Sequence, residues 1–502
     1  MSSGGVFKLI SNTGQQDEVL MATAALTQRL KDMSFTRICE MEKLYPSKSR
    51  QQLIQENVGN WLPTLNMIER THVTFINSSF KPFVAIGLEY VKSGTRGTAV
   101  NFGETVVFTM PVYGQFINDC VIHVQISAFS AITVGDRVRW CEFPGHRLFK
   151  NVKFQVNGND LDEYGSDEYN AYFAYKLPVN KEIGYMRLVG QEVPYVGYLT
   201  PDPTVDEYRE YRVFGSGPQT YKQTQPVLDL WIPLLFWFRD IQCALPSAAI
   251  PQGQTNVIIE LENLSKLISY DPIVGSGAYT TPTIQVIEMY SNNIFLQPEI
   301  FKIFIEKFGT QLIRVHKKQI VKDISASSDS FLLNKMAYPV ETMFVAFRPQ
   351  SNLLNTQLWA HYASCTQETV PEAVVTSGTV IQINDAVYYS EVPTVTNLTL
   401  KAQGIVIFTE SPAIFYNSYI PYRYGSTFKT PKDQGLYMIN FNFNPNEYQP
   451  SGYLNVSRTR EFYVSYNSTV ITSSAKAELI AMADCINFVL IVDGSAQLRY
   501  IT

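Results

Sequence analysis

An all-β fold of two β-sandwiches in tandem, entered through a short helical segment, is what this sequence predicts, and three observations predict it. From residue 71 onward, β-branched and aromatic runs recur, punctuated by Gly, Pro, Asn or Asp. The runs fall into two series of about 200 residues each, the length of two sandwiches. Aromatic residues reach 13% of the 502, with 30 Tyr and 30 Phe, while charged residues are only 17%. An average soluble domain carries about 25% charged residues, so much of this surface is weakly charged, as faces covered by partners are. The same composition excludes disorder, collagen and coiled coil. Lys+Arg 40 against Asp+Glu 45 leaves a net charge of -5, which argues against a protein that coats nucleic acid.

Residues 1–65 differ from the rest. Val19, Ala22, Leu26, Leu30 and Met33 recur at spacings of three and four, which places one apolar stripe on a helix over about residues 17–33. The stripe packs on the main body or serves as an arm that grips neighbours. A more polar helical stretch covers 47–58, and Gly59 and Pro63 close it. The first strand series contains 71–77, 105–111, 120–129, 149–156, 228–238 and 255–261. The second contains 312–321, 340–347, 395–407, 437–443, 454–466 and 483–501. Over 228–238 (LDLWIPLLFWF) both alternating sets are apolar, which predicts a strand covered on both sides, one of them by another domain or subunit. The stretches 157–224 and 350–392 read as long loops. Loops beyond ~12–15 residues usually carry function or structure of their own. The first is Tyr-rich, and Tyr offers large contact area at small entropy cost, so Tyr164, Tyr169, Tyr172, Tyr208 and Tyr211 are candidate contacts.

No catalytic constellation is legible. His72, His123, His146, His316 and His361 show no ligand spacing, and HExxH, GxSxG, GxxxxGK[ST] and GxGxxG are all absent. His123, inside an apolar strand, reads as a satisfied core or interface residue. The acidic cluster Asp160, Asp162, Glu163, Asp167 and Glu168 misses the alternation of a calcium loop and reads as a solvated turn. In LIRVHKKQIVKD, alternation places Arg314, His316 and Lys318 on one face, suited to an acidic partner or a lipid headgroup layer, or simply solvated. No catalytic residue, cofactor or metal is expected. No run reaches the ~18–20 apolar residues of a spanning helix, and MSSGGVFKLISNTG lacks the apolar core of a signal peptide. Six scattered cysteines without CxxC read as reduced thiols in a cytosol, where the sequons at Asn77, Asn263, Asn397, Asn455 and Asn467 carry no glycan.

Several segments are more specific. Residues 141–167 (CEFPGHRLFKNVKFQVNGNDLDEYGSD), 69–90 (ERTHVTFINSSFKPFVAIGLEY), 301–318 (FKIFIEKFGTQLIRVHKK) and 486–502 (INFVLIVDGSAQLRYIT) closely resemble the major capsid proteins of nucleocytoplasmic large DNA viruses of the African swine fever virus type. Residues 244–261 (ALPSAAIPQGQTNVIIEL) and 449–458 (QPSGYLNVSR) resemble marks of large DNA virus capsid proteins more widely. The match runs in blocks from SGGVFKLIS to the last residue. The chain is shorter than that pattern, mainly because the excursion after Asp167 and the second-half loops are reduced, which leaves open the shape of an outer tower.

The resemblance implies a tandem double jelly roll of two eight-stranded sandwiches. The first would cover 66–292, with an outward loop at 157–224, and the second 293–502, with a loop at 350–392. Residues 1–65 would be a helical anchoring segment toward the inner shell. It also implies a non-enzymatic protein that homotrimerises into pseudo-hexameric capsomers and tiles an icosahedral shell, in a virion assembled in the host cytoplasm. The implied partners are further copies, neighbouring capsomers, and minor capsid and penton proteins. An internal viral membrane lies nearby without being spanned, and nucleic acid is not contacted. The loop tyrosines become trimer contacts. Signature residues are Asn157 and Gly158, Pro246 and Pro251, which deny an edge some N–H donors, and Pro450, Gly452, Asn455, Ser457 and Arg458. In this last group Pro450 and Gly452 form a turn, Asn455 and Ser457 bond turn backbone, and Arg458 clamps a carboxylate or loop carbonyls. Each is equally readable as a plain structural turn. The alternatives are a trimeric double-jelly-roll scaffold, a minor capsid component and, remotely, a jelly-roll carbohydrate-active enzyme or lectin.

Overall fold

The structure is a computed structural model that describes residues 38–56, 86–97, 100–193, 195–198, 210–213, 217–251, 253–273, 278–296, 310–376, 379–445, 447–492 and 494–500. The expected helix at 17–33 and strand at 71–77 lie outside them. The chain divides into a small unit (1–89, 113–115 and 294–303) and a large unit holding the rest. In the small unit, helix α1 (Arg50–Glu56) begins three residues after the start of the helical stretch expected at 47–58, whose last two residues lie outside the described ones. The sandwiches build the large unit.

Eight principal strands form the first sandwich: β1 (Gly87–Gly94), β2 (Thr105–Thr109), β3 (Phe116–Ile126), β4 (Phe149–Val156), β5 (Asn159–Gly165), β6 (Leu228–Pro233), β7 (Thr255–Leu261) and β8 (Ile284–Phe295). They make two sheets, ordered β1-β8-β3-β6 and β2-β7-β4-β5. Eight more form the second: β9 (Thr310–Ile324), β10 (Ser328–Leu332), β11 (Pro339–Pro349), β12 (Asn397–Ala402), β13 (Ile405–Pro412), β14 (Leu436–Asn440), β15 (Phe462–Asn467) and β16 (Ala477–Val492). Their sheets run β9-β16-β11-β14 and β10-β15-β12-β13. Raising every number in the first order by eight yields the second. First and last strands lie side by side in each half, the crossed order of a jelly roll, so the chain is a tandem double jelly roll.

Period-two burial explains why these runs are strands. In β4 and β7 alternate side chains point inward, and the register sets Val257 opposite Phe154 and Ile259 opposite Val152. Two-residue turns join β4 to β5 and β12 to β13. Asn157 and Gly158 in the first, and Gln403 and Gly404 in the second, all have positive φ (51°, 81°, 49° and 75°), as a type I′ hairpin turn requires. One hydrophobic cluster runs through both sandwiches, from Val106 to Leu498.

Three expectations are corrected. The stretch 228–238 is not one strand, because β6 stops at Pro233 and Trp237–Arg239 form a 3-10 turn. Leu235, Phe236, Trp237 and Phe238 are buried, the last three folded around Phe154 with ring centroids 5.0–5.3 Å apart, whereas Trp231 stays only partly buried. The expected loop 157–224 is largely ordered structure. It contains β5, helix α3 (Ser166–Ala171), a π-turn (Tyr172–Lys176) and helix α4 (Val179–Leu188), with α2 (Pro144–Leu148) ahead of β4. The second stretch, 350–392, holds a long hairpin of Ser364–Thr376 with Thr379–Val392.

Candidate functional site

A cluster of buried charges fixes one roll against the other. That seam is built where β5, α3 and the π-turn meet β9, β11 and β16. Strand alternation on β9 sends Arg314, His316 and Lys318 to one side. Asp162 accepts from the His316 backbone N–H at 2.8 Å and lies 3.0 Å from His316 Nδ1. Lys318 Nζ sits 2.8 Å from Asp167 and 3.3 Å from Glu168. Arg348 on β11 donates to Asp167 at 3.0 Å, to the Trp359 carbonyl at 2.8 Å and to Glu478 at 2.8 Å. Tyr362 donates to the same Asp167 oxygen at 3.1 Å. Lys176 at the end of the π-turn reaches Asp484 at 2.5 Å.

Asp167, Lys318 and Arg348 keep their charges although they are hidden. Burial favours a protonated Asp167, yet Lys318 and Arg348 outweigh it and hold the carboxyl well below the usual carboxylate range. Burial likewise disfavours the charges of Lys318 and Arg348, and their carboxylate partners raise both above their ordinary values. For His316, burial pulls the imidazole down and Asp162 more than restores it, leaving it above its ordinary value. Beside the charges lies an apolar patch. Ala171 and Tyr175 pack on Phe344, Ala346, Met438, Ile480 and Met482, the outward side of the second roll's β9-β16-β11-β14 sheet. The Tyr175 hydroxyl donates to the Leu436 carbonyl at 2.7 Å.

The acidic cluster is solvated only in part: Asp160 and Glu163 are exposed, as expected, but Asp162, Asp167 and Glu168 are 4%, 3% and 5% exposed, and the basic face of β9 finds its acidic partner within its own chain. Tyr164 and Tyr169 offer no surface to a neighbour. Both rings are in the core, where Tyr164 accepts from the Leu235 N–H at 2.8 Å and Tyr169 donates to the Pro233 carbonyl at 3.0 Å. A buried phenol needs such a partner. Tyr172 is partly buried with the Arg239 guanidinium 4.5 Å over its ring. Tyr211 lies on the short strand Glu210–Val213, and Tyr208 lies outside the described residues. His123 stacks on Trp231 at 4.3 Å beside Asp229 at 2.6 Å. Sequence reasoning missed Arg348, Tyr362 and Glu478. The available signal was a lone arginine within the apolar run VAFRP.

Comparison with known proteins decides the family. The description "Major capsid protein N-terminus" matches residues 74–297, and "Large eukaryotic DNA virus major capsid protein" matches 302–497. The chain belongs to the major capsid proteins of large eukaryotic DNA viruses. Hexon protein p72 of African swine fever virus (isolate Tick/Malawi/Lil 20-1/1983) is 28% identical over 662 aligned positions, covering all of both chains. The major capsid protein of Phaeocystis pouchetii virus is 19% identical over 85% of this chain and 95% of its own. Among solved structures, the Faustovirus major capsid protein superposes with a TM-score of 0.78 at 29% identity, covering 93% of this chain and 98% of that one. A chain of the PBCV-1 virus capsid shares the fold at a TM-score of 0.60. The relatives are structural proteins of the virion capsid, not enzymes, and so is this capsid protein.

The signature positions of this capsid protein can be placed. Asn157 Nδ2 donates to the Gly494 carbonyl at 2.9 Å, so the β4–β5 turn is tied to the second roll. Pro246 precedes a 3-10 turn (Ser247–Ala249), and Pro251 lies so close to Gly494 that a Cβ there would stand 2.8 Å from Pro251 Cδ. Gly452 passes against Phe441, where a Cβ would meet the carbonyl at 2.6 Å, and Pro450 is partly buried two residues earlier. Asn455 Oδ1 accepts from the Ser457 N–H at 3.1 Å, an Asx turn. Arg458 clamps no carboxylate: it is exposed and no ion pair reaches it among the described residues. No group of three or more His, Cys, Asp or Glu is placed to hold a metal among the described residues, and no described helix is long and apolar enough to cross a membrane.

Proposed function

We propose that this chain works by assembly, three copies closing into a six-lobed capsomer and capsomers tiling an icosahedral shell. The carrying observation is that one topology occurs twice in a single polypeptide, with the rolls clamped by a buried charge network. A chain with two like lobes supplies six from three copies. Such a ring needs broad apolar contacts within the capsomer, and smaller, more polar ones suffice between capsomers. A net charge of -5 on 502 residues keeps repulsion between packed copies low. The boundaries follow the same reading: an anchoring segment at 1–65 toward the inner shell, then rolls at 66–292 and 293–502. Minor capsid and penton proteins, a membrane beneath the shell and assembly in the host cytoplasm complete it. Light scattering of the purified chain tests self-association, with a mass of three copies expected. A stable monomer at micromolar concentration overturns the reading. Peptide mapping of purified virions separates a major shell component, present at high copy number, from a scaffold absent from the particle.

A further inference from the structure

The two π-turns hold equivalent places, each following the fifth strand of its roll. In the first, Tyr172–Lys176 is followed by Leu177 and Pro178; in the second, Phe415–Tyr419 is followed by Ile420 and Pro421. Aligned on these prolines, YFAYKLP and FYNSYIP set Ile414 at the place of Ala171 and Tyr419 at that of Lys176. The places match, but the surroundings do not. Ala171 is buried on the second roll's outward sheet face and Lys176 is paired with Asp484 on that face. Ile414 is 67% exposed and Tyr419 48%. Tyr416 and Asn417 of the second π-turn are buried in its own roll, while Ile414 and Tyr419 are left facing solvent.

The complementary face is also present. The seam uses the outward side of β9-β16-β11-β14. Its counterpart in the first roll is the outward side of β1-β8-β3-β6, which carries Tyr90, Tyr290, His123 and Trp231. Trp231 lies 5.2 Å from Tyr290 and stacks on His123, while the alternate residues Ile122, Val124, Leu230 and Ile232 enter the core. Tyr90 is 56% exposed.

We propose that Ile414 and Tyr419 of one copy seat on the Tyr290–Trp231 face of a second copy, repeating between chains the step that joins the two rolls within one. This rests on the self-association proposed above and names the surface it uses. The occupant is a second copy because the covering element and the covered face both belong to this chain, and their counterparts already meet inside it. The chemistry differs between the two seams. The inner one combines ion pairs with an apolar patch, whereas aliphatic and aromatic side chains fill the outer one, as suits surfaces that desolvate on every encounter.

The test mixes Tyr290→Cys protein with Tyr419→Cys protein in the presence of a short bis-maleimide, with the unsubstituted chain as background for its own thiols. A two-chain band appearing only in the mixture and in the double variant is the expected result. In parallel, Ile414→Asp with Tyr419→Asp should raise the concentration at which light scattering finds half the chains associated by at least about tenfold. An unchanged melting profile shows that this exposed pair was not needed for folding. If the unsubstituted chain associates while the cross-link is absent and the aspartate variant associates normally, this placement is overturned and self-association stands. If the unsubstituted chain is monomeric, both fall.

Discussion

Arg348 lies between Phe347 and Pro349 on a strand buried along its whole length, and it satisfies two carboxylates and a carbonyl at once. Removing it leaves Glu478 hidden without its cation and Asp167 with Lys318 alone. Arg348→Met should therefore cost about 3–5 kcal/mol of stability, read as a shift of the denaturation midpoint. A cost below about 1 kcal/mol would show the seam to be more hydrated than its burial implies. His146 makes the opposite case, a histidine that must stay neutral. Its two ring nitrogens lie 2.9 Å from Asn170 Oδ1 and from the Tyr185 hydroxyl, and burial pushes its pKa down to about 4. The unfolded chain takes up this proton from about pH 6.5 and the folded chain only near 4. Stability is thus full above 6.5 and falls by about 3 kcal/mol on acidification between those values. His361 has the reverse sign. Burial opposes its charge, but Glu142 at 3.2 Å prevails and raises it to about 9, so its contribution is full below 6.5 and is lost as pH rises through 9. Denaturation series across pH should find a maximum near 6.5, and His146→Gln should flatten the acidic limb.

Among the elements, the hairpin turns show how a local rule and a tertiary contact combine. Gly158 has φ 81° and open space where a Cβ would be built, so Gly158→Ala costs only the strain of the left-handed region, about 1 kcal/mol. Gly435 has the opposite problem. A Cβ there would stand 2.2 Å from the Ala363 nitrogen and the Tyr362 carbonyl carbon, both backbone, so Gly435→Ala should prevent folding. Soluble yield and melting temperature of the two variants distinguish conformational strain from collision. The strand runs at 149–156 and 255–261 are legible because each alternates in burial and is bounded by turn residues. The run 228–238 misleads because a strand and the turn after it are both apolar, and only the fold shows where Pro233 ends the ladder.

At the scale of the molecule, one charged seam makes two rolls into a single clamped body, and the aromatic face of the first roll is left for something else to cover. Because the proposed contact sets Ile414 and Tyr419 on Tyr290 and Trp231, and the charges of that face are already partnered within it (Lys92 with Glu288, Asp229 with His123), association should survive 1 M NaCl, where the screening length is about 3 Å. Light scattering at low and high salt checks this. A mass falling to one chain at high salt would transfer the capsomer contact to ion pairs.

The amino-acid order alone determined many of the strand runs, the tandem sandwiches and the capsid family, because period-two alternation, turn residues and segment resemblance are local properties. It did not reveal what the charged and tyrosine-rich stretch after Asn157 does. Read along the chain, Asp162, Asp167, Glu168, Tyr164 and Tyr169 look like a wet surface, since acidic and phenolic side chains usually face water. The tertiary structure brings β9 and β11 to them from some 150 to 190 residues away, and the cations there make burial of those carboxylates favourable. Whether a polar residue is exposed depends on the partner that folding delivers, and that partner lies outside any local window of sequence.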